Sequence, residues 1–182
     1  MVSKPSIEVV KAWIEQWVIE LNLCPFAAKP FSEDKIRYVV FEKTEVFELM
    51  DFFLEELKKL STTFSLDTLI LILDNICIDF EDYLDVFYFL ESKLADFDLE
   101  DEFQLASFHP AYRFEGEEES SNSHYTNRSP LPLIHILRVD QVEAARNFYP
   151  NIELIPANNI EKMDRMRPES IKIKFDEFKG KN

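Results

Sequence analysis

The chemistry-bearing residues of this chain crowd into one stretch, 104–138, which reads QLASFHPAYRFEGEEESSNSHYTNRSPLPLIHILR and contains all three histidines. His109 and His135 each interrupt an apolar run where a strand pattern calls for Val or Leu. An imidazole titrates near neutral pH, so a ring at such a position suits general acid or base work. In the loop between them Arg128 is flanked by Asn127 and Ser129, and its planar fork matches a carboxylate or phosphate. Arg138 offers a second guanidinium at the end of the segment. Pro130 and Pro132 fix φ and stiffen the approach to the strand. Cys24 is the candidate thiol nucleophile. Cys77, in LDNICIDF, is set among aliphatics and reads as inert packing.

Each of these residues also has a plain structural reading. A lone histidine in an apolar run is more often a core ring whose nitrogens bond backbone groups. Arg128 equally suits a role tying the loop to local carbonyls or to the adjacent acidic run. Cys24-Pro25-Phe26 reads as an apolar plug closing the first helix. A thiol at a helix C-terminus, the negative end of the dipole, needs a cationic neighbour for activation. His124, in the polar loop, is expected to be exposed.

The elements that must position these groups follow from periodicity. Ile7, Val10, Trp13, Ile14, Trp17, Val18 and Leu21 recur at helical spacing, and Pro25 stops that helix before Cys24. A strand is expected over 36–41, then a helix capped by Thr44 with Val46, Met50, Phe53, Leu57 and Leu60 as its apolar stripe. The run 68–73 is apolar on both faces, as in a central strand covered on both sides. Asp79 caps a third helix reaching Leu94, and 103–108 and 133–138 are the third and fourth strands. Asp140 and Glu143 resemble a capping box opening a helix through Phe148. A short helix from Asn158 or Asn159 ends before Pro168. The alternation Ile171, Lys172, Ile173, Lys174, Phe175 suits a short edge strand.

This order predicts an α+β domain spanning 1–182, with 168–182 a tail or edge strand. Its mixed sheet of about four strands, in β-α-β-α-β-β-α-α order after an N-terminal helix, is covered by helices. The long loop 115–130 lets the third and fourth strands pair antiparallel. The end of one then lies beside the start of the other. The rings of His109 and His135 are accordingly expected on one side, within about 10 Å, since cross-strand neighbours sit ~5–8 Å apart. Arg128 is expected over the same spot, with the LCPF turn as its wall.

Composition removes several functions. Hydrophobic residues at 46% and seventeen Phe rule out a disordered chain. The net charge is −15, and between Asp79 and Glu119 fourteen acidic residues face only Lys93 and Arg113. Such a surface repels phosphate backbones, so no nucleic-acid partner is expected. Gly116 and Gly180 are the only glycines, too few for a dinucleotide fingerprint or a phosphate loop, and no cofactor is implied. No apolar run approaches the ~18–20 residues of a membrane span, and MVSKPSIEVV lacks the basic start and apolar block of a signal peptide. The two cysteines form no C-x-x-C pair. A cytoplasmic protein without a membrane partner is the expectation.

The blocks LNLCPFA (21–27), DFEDYLDVF (79–87), QLASFHPAYRF (104–114) and TNRSPLPLIHILR (126–138) resemble the signature of a family of bacterial proteins of unknown function, the domain-of-unknown-function family numbered 1415. The resemblance implies that Cys24, Pro25, His109, Pro110, Asn127, Arg128, Ser129, Pro130, His135 and Arg138 match that family's pattern. It supplies neither a reaction nor a cofactor. Three readings stand side by side. The first is a small-molecule enzyme acting on an anionic substrate, with Cys24, His109 and His135 catalytic and Asn127, Arg128, Ser129 and Arg138 binding. The second is a metal site from Cys24, His109 and His135 with a carboxylate such as Asp74 or Asp79. The third is a non-catalytic adaptor or ligand-binding domain in which these residues stabilise the loop.

Overall fold

The computed structural model describes residues 5–149 and 151–179. Helix α1 (Pro5–Trp13) continues into a π-helical stretch, Ile14–Ile19, and is followed by the short α2 (Ala28–Ser32) and strand β1 (Ile36–Val40). Then come α3 (Leu49–Thr62), β2 (Thr68–Ile72), α4 (Phe80–Asp96), β3 (Phe103–Phe108) and β4 (Leu133–Arg138). Three helices follow: α5 (Val139–Phe148), α6 (Ile155–Arg165) and α7 (Pro168–Lys179). The fold is α+β. The sheet runs in the order β1-β2-β4-β3, with β1 parallel to β2 and β4 antiparallel to both of its neighbours.

The sheet divides the apolar residues into two cores. One face carries Val39, Leu69, Leu71, Ile134 and Ile136, and is covered by the stripe Leu49, Phe53, Leu57 and Leu60 of α3 and by Tyr83, Phe87 and Leu90 of α4. The other carries Ile36, Ile70, Ile72 and Leu133 under Val10, Trp13 and Trp17, with Met163 of α6 and Ile171, Phe175 and Phe178 of α7. β2 is buried at every position, which is why its sequence shows no alternation. Asp79 caps α4 as its type and position imply, its carboxylate accepting the N–H groups of Glu81 at 2.9 Å and Asp82 at 3.5 Å.

Several expected boundaries differ. Thr44 does not cap the second helix, which is entered through a 3₁₀ turn, Val46–Glu48. The Asp140–Glu143 box does not form, because β4 runs straight into α5 and Asp140 already lies in the first turn. α6 opens at Ile155, one residue before a proline that fits the first turn of a helix. The expected edge strand at 171–175 is the helix α7. Its buried residues Ile171, Phe175 and Phe178 follow helical spacing, while Ile173 is 66% exposed. Over five residues the periods 2 and 3.6 agree at both ends of the window, and only Phe178, beyond the alternation, separates them.

Candidate functional site

β1, β2 and β3 point the same way and β4 opposes them, so three strand ends and one strand start share a single edge of the sheet. The segment before β4 is laced to this edge. His109 N–H donates to the Asn127 carbonyl at 3.3 Å, and Ser129 N–H donates to the His109 carbonyl at 3.4 Å. The Asn127 side-chain amide donates to the Ser107 carbonyl at 3.3 Å, and the fully buried Ser129 hydroxyl donates to the Leu131 carbonyl at 2.5 Å. Asn127 and the Ser129 backbone therefore continue the β3–β4 pairing past its last regular rung, while the Ser129 hydroxyl closes a turn within its own segment.

His109 is fully buried, with its ring centroid 5.0 Å from Tyr83 and 5.3 Å from Phe80. The Ala111 N–H donates to Nδ1 at 3.1 Å, so that nitrogen carries no proton, and Nε2–H donates to the Cys77 carbonyl at 3.0 Å. Burial holds the pKa of His109 below its ordinary value, against the pull of the Cys77 and Ile78 carbonyls and of Asp79. His124 repeats the pattern and is not exposed but fully buried. It accepts the Phe114 N–H on Nδ1 at 3.2 Å and donates from Nε2 to the Glu118 carbonyl at 2.9 Å, fixing the acidic loop.

The expected meeting of His109 and His135 does not occur. In the β3–β4 register Ala106 opposes His135 and Phe108 opposes Leu133, so even-numbered residues of β3 share a face with odd-numbered residues of β4. His109 packs on the α4 side of the sheet, whereas His135 lies on the α1 side beside Phe108, with ring centroids 6.4 Å apart. The parity of a register, which strand patterns leave open, decides the matter. Thr68 gives its one hydroxyl proton to the Ile136 carbonyl at 2.5 Å, so it accepts from His135 Nε2–H at 2.7 Å. Burial pushes the pKa of this half-buried ring down to about 4.

Arg138, 9% exposed, caps the end of α3. Its Nε donates to the Leu66 carbonyl at 3.1 Å and its terminal nitrogen donates to the carbonyls of Leu60 and Thr63. Cys24 sits where the first helix ends. There the Asn159 amide donates to the Leu23 carbonyl at 2.6 Å, and Lys162 donates to the Leu21 and Asn22 carbonyls. Burial raises the Cys24 pKa in spite of N–H groups from Phe26 and Ala27. Cys24 is half-buried and Cys77 buried, the Cys77 thiol being pushed up to about 11 by burial and by Asp82. Among the described residues no three His, Cys, Asp or Glu side chains are placed to hold a metal ion.

Arg128 stands apart from this committed set. Its Nε donates to the Tyr112 carbonyl at 3.3 Å and its guanidinium lies 4.3 Å from the Tyr125 ring centroid. Its terminal nitrogens have no partner among the described residues. It lines a cleft of about 250 Å³ with Ile78, Asp79, Phe80, Ala111, Arg113 and Glu119. Arg113 pairs with Glu81 at 2.8 Å, and Glu119 has no polar partner among the described residues. Sequence reasoning read Arg113 and Glu119 only as part of a solvated charged run. On the α1 side, Asp74, the carboxylate named for a metal site, has Oδ1 buried without a partner among the described residues while Ser6 donates to its other oxygen; Trp13 Nε1, which sequence reasoning placed only in a core stripe, is likewise buried without one. A second cleft, of about 340 Å³, lies between Asn22–Pro25 and α6 and shares no lining residue with the first.

Comparison with curated proteins and with solved structures returns no match. The family model described as a protein of unknown function, DUF1415, matches residues 6–173. The chain therefore belongs to the DUF1415 family.

Proposed function

We propose that the protein binds a small molecule through a carboxylate or phosphate group, anchored by Arg128 in the cleft at the carboxyl end of β3. The observation that carries this reading is the state of Arg128: held by one carbonyl and one aromatic face, yet with its terminal donors unspent beside a cleft. A guanidinium fixed in this way loses little rotamer freedom when it meets an anion. The start of α4, at Asp79 and Phe80, borders the same space and adds its positive dipole end. Binding is favoured over catalysis because His109 has both nitrogens committed, and neither Cys24 nor His135 lines the cleft.

Titration with acetate and with inorganic phosphate, followed by backbone amide NMR, tests the reading. Saturable shifts at Ala111, Arg113 and Glu119 are expected in the parent protein. Arg128→Ala should abolish them, and Arg128→Lys, which keeps the charge but loses the fork, should weaken them. Shifts that persist in Arg128→Ala, or that never saturate, would overturn it.

A further inference from the structure

The cleft carries two unspent charges of opposite sign. Arg128 and Glu119 both line it, neither has an ion-pair partner among the described residues, and they do not pair with each other. Of the other charges there, Arg113 is paired with Glu81, and Asp79 is turned to the helix start, one of its oxygens accepting the N–H groups it caps. The same cleft is also lined by the apolar groups of Ile78, Phe80 and Ala111. The volume, about 250 Å³, falls below the ~300 Å³ at which drug-sized sites begin.

From this arrangement we infer that the ligand is a zwitterion of amino-acid size, its carboxylate on Arg128, its ammonium on Glu119 and its carbon body against Phe80 and Ala111. The inference rests on the anion-binding reading above and narrows it. A simple anion would satisfy Arg128 but leave Glu119 beside a second negative charge. A simple amine would leave Arg128 unanswered. A zwitterion meets both, and with zero net charge it crosses the field of a chain of net charge −15 without repulsion. That field disfavours a plain anion of the same size.

The test compares L-alanine with its two halves, acetate and ethylammonium, in NMR titrations of the full chain. Alanine should bind at least about tenfold tighter than acetate, the equivalent of one added charge-assisted contact. Glu119→Gln, an exposed substitution, should bring alanine down to the level of acetate without weakening acetate. Arg128→Ala should remove both. Acetate binding as tightly as alanine, or alanine indifferent to Glu119→Gln, would overturn the zwitterion and leave the anion site standing. If no probe binds the parent protein, both readings fall.

Discussion

A histidine with both ring nitrogens engaged by backbone groups, as His109 and His124 are, works as a rigid polar joint. At His109, protonating Nδ1 would put a proton where a backbone N–H already points, so that joint holds only while its ring is neutral. His135 differs: only its Nε2–H is engaged, by Thr68, and burial alone disfavours its charged form, with a pKa of about 4 that gives it a defined pH window. In the unfolded chain the ring titrates near ~6.5. As pH falls the unfolded state takes up the proton first. The contribution to stability is therefore complete above about pH 6.5 and is lost progressively down to about pH 4. The difference amounts to at most about 3 kcal/mol, less whatever the exposed edge of the ring recovers from water. Urea midpoints measured from pH 7.5 to 4.5 should fall in the parent protein and fall less steeply in His135→Gln. Identical slopes would show that this ring does not sense pH. His109, also depressed, acts with the same sign and contributes to the slope that remains in the variant.

At the scale of elements, Arg138 shows how a residue chosen for its chemistry serves architecture. Its guanidinium reaches the Leu60 and Thr63 carbonyls at the end of α3 and the Leu66 carbonyl beyond it; Leu60 and Thr63 also accept backbone N–H groups, from Thr63 and Leu66, whereas Leu66 relies on Arg138. Arg138→Met keeps the aliphatic stem but leaves the half-buried Leu66 carbonyl without its donor and removes the added contacts to Leu60 and Thr63, and a loss of about 1–3 kcal/mol is expected in chemical denaturation. Ligand titrations of the cleft should be unchanged, which distinguishes a cap from an anion site. The sequence revealed which strands exist and that the last two pair antiparallel, since apolar runs and loop length carry that information. It could not reveal parity, because shifting β3 by one residue against β4 leaves the pattern of each strand untouched yet moves His109 across the sheet. Nor could it separate a five-residue alternation from a helical stripe at Ile171–Phe175. Arg128 was singled out because the prolines that follow it and its polar neighbours mark a held cation, whereas Glu119, which lines the same cleft, was lost in a run of similar residues.

For the whole molecule the governing quantity is charge: 35 acidic residues against 20 basic. The excess is concentrated on α4, on the turn after it and on the acidic loop. The two cations within that stretch are already taken, Lys93 by Asp96 and Arg113 by Glu81. The remaining carboxylates repel one another across distances longer than an ion pair. Salt acts on both effects, but unequally. Exposed pairs contribute only about 0–1 kcal/mol each and lose part of that on screening. Long-range repulsion is cut more deeply, since the Debye length shrinks from about 30 Å at 0.01 M to about 8 Å at 0.15 M. With fifteen negative charges uncompensated, relief of repulsion should win. Stability at pH 7 should rise by roughly 1 kcal/mol between these salt concentrations, equally in NaCl and KCl, because screening depends on ionic strength and not on ion identity. Near pH 4.5 the gain should shrink as carboxylates begin to protonate. Urea titrations at both ionic strengths and both pH values measure it, and a fall in stability with salt at pH 7 would mean that the ion pairs, not the unpaired carboxylates, dominate the field around the cleft.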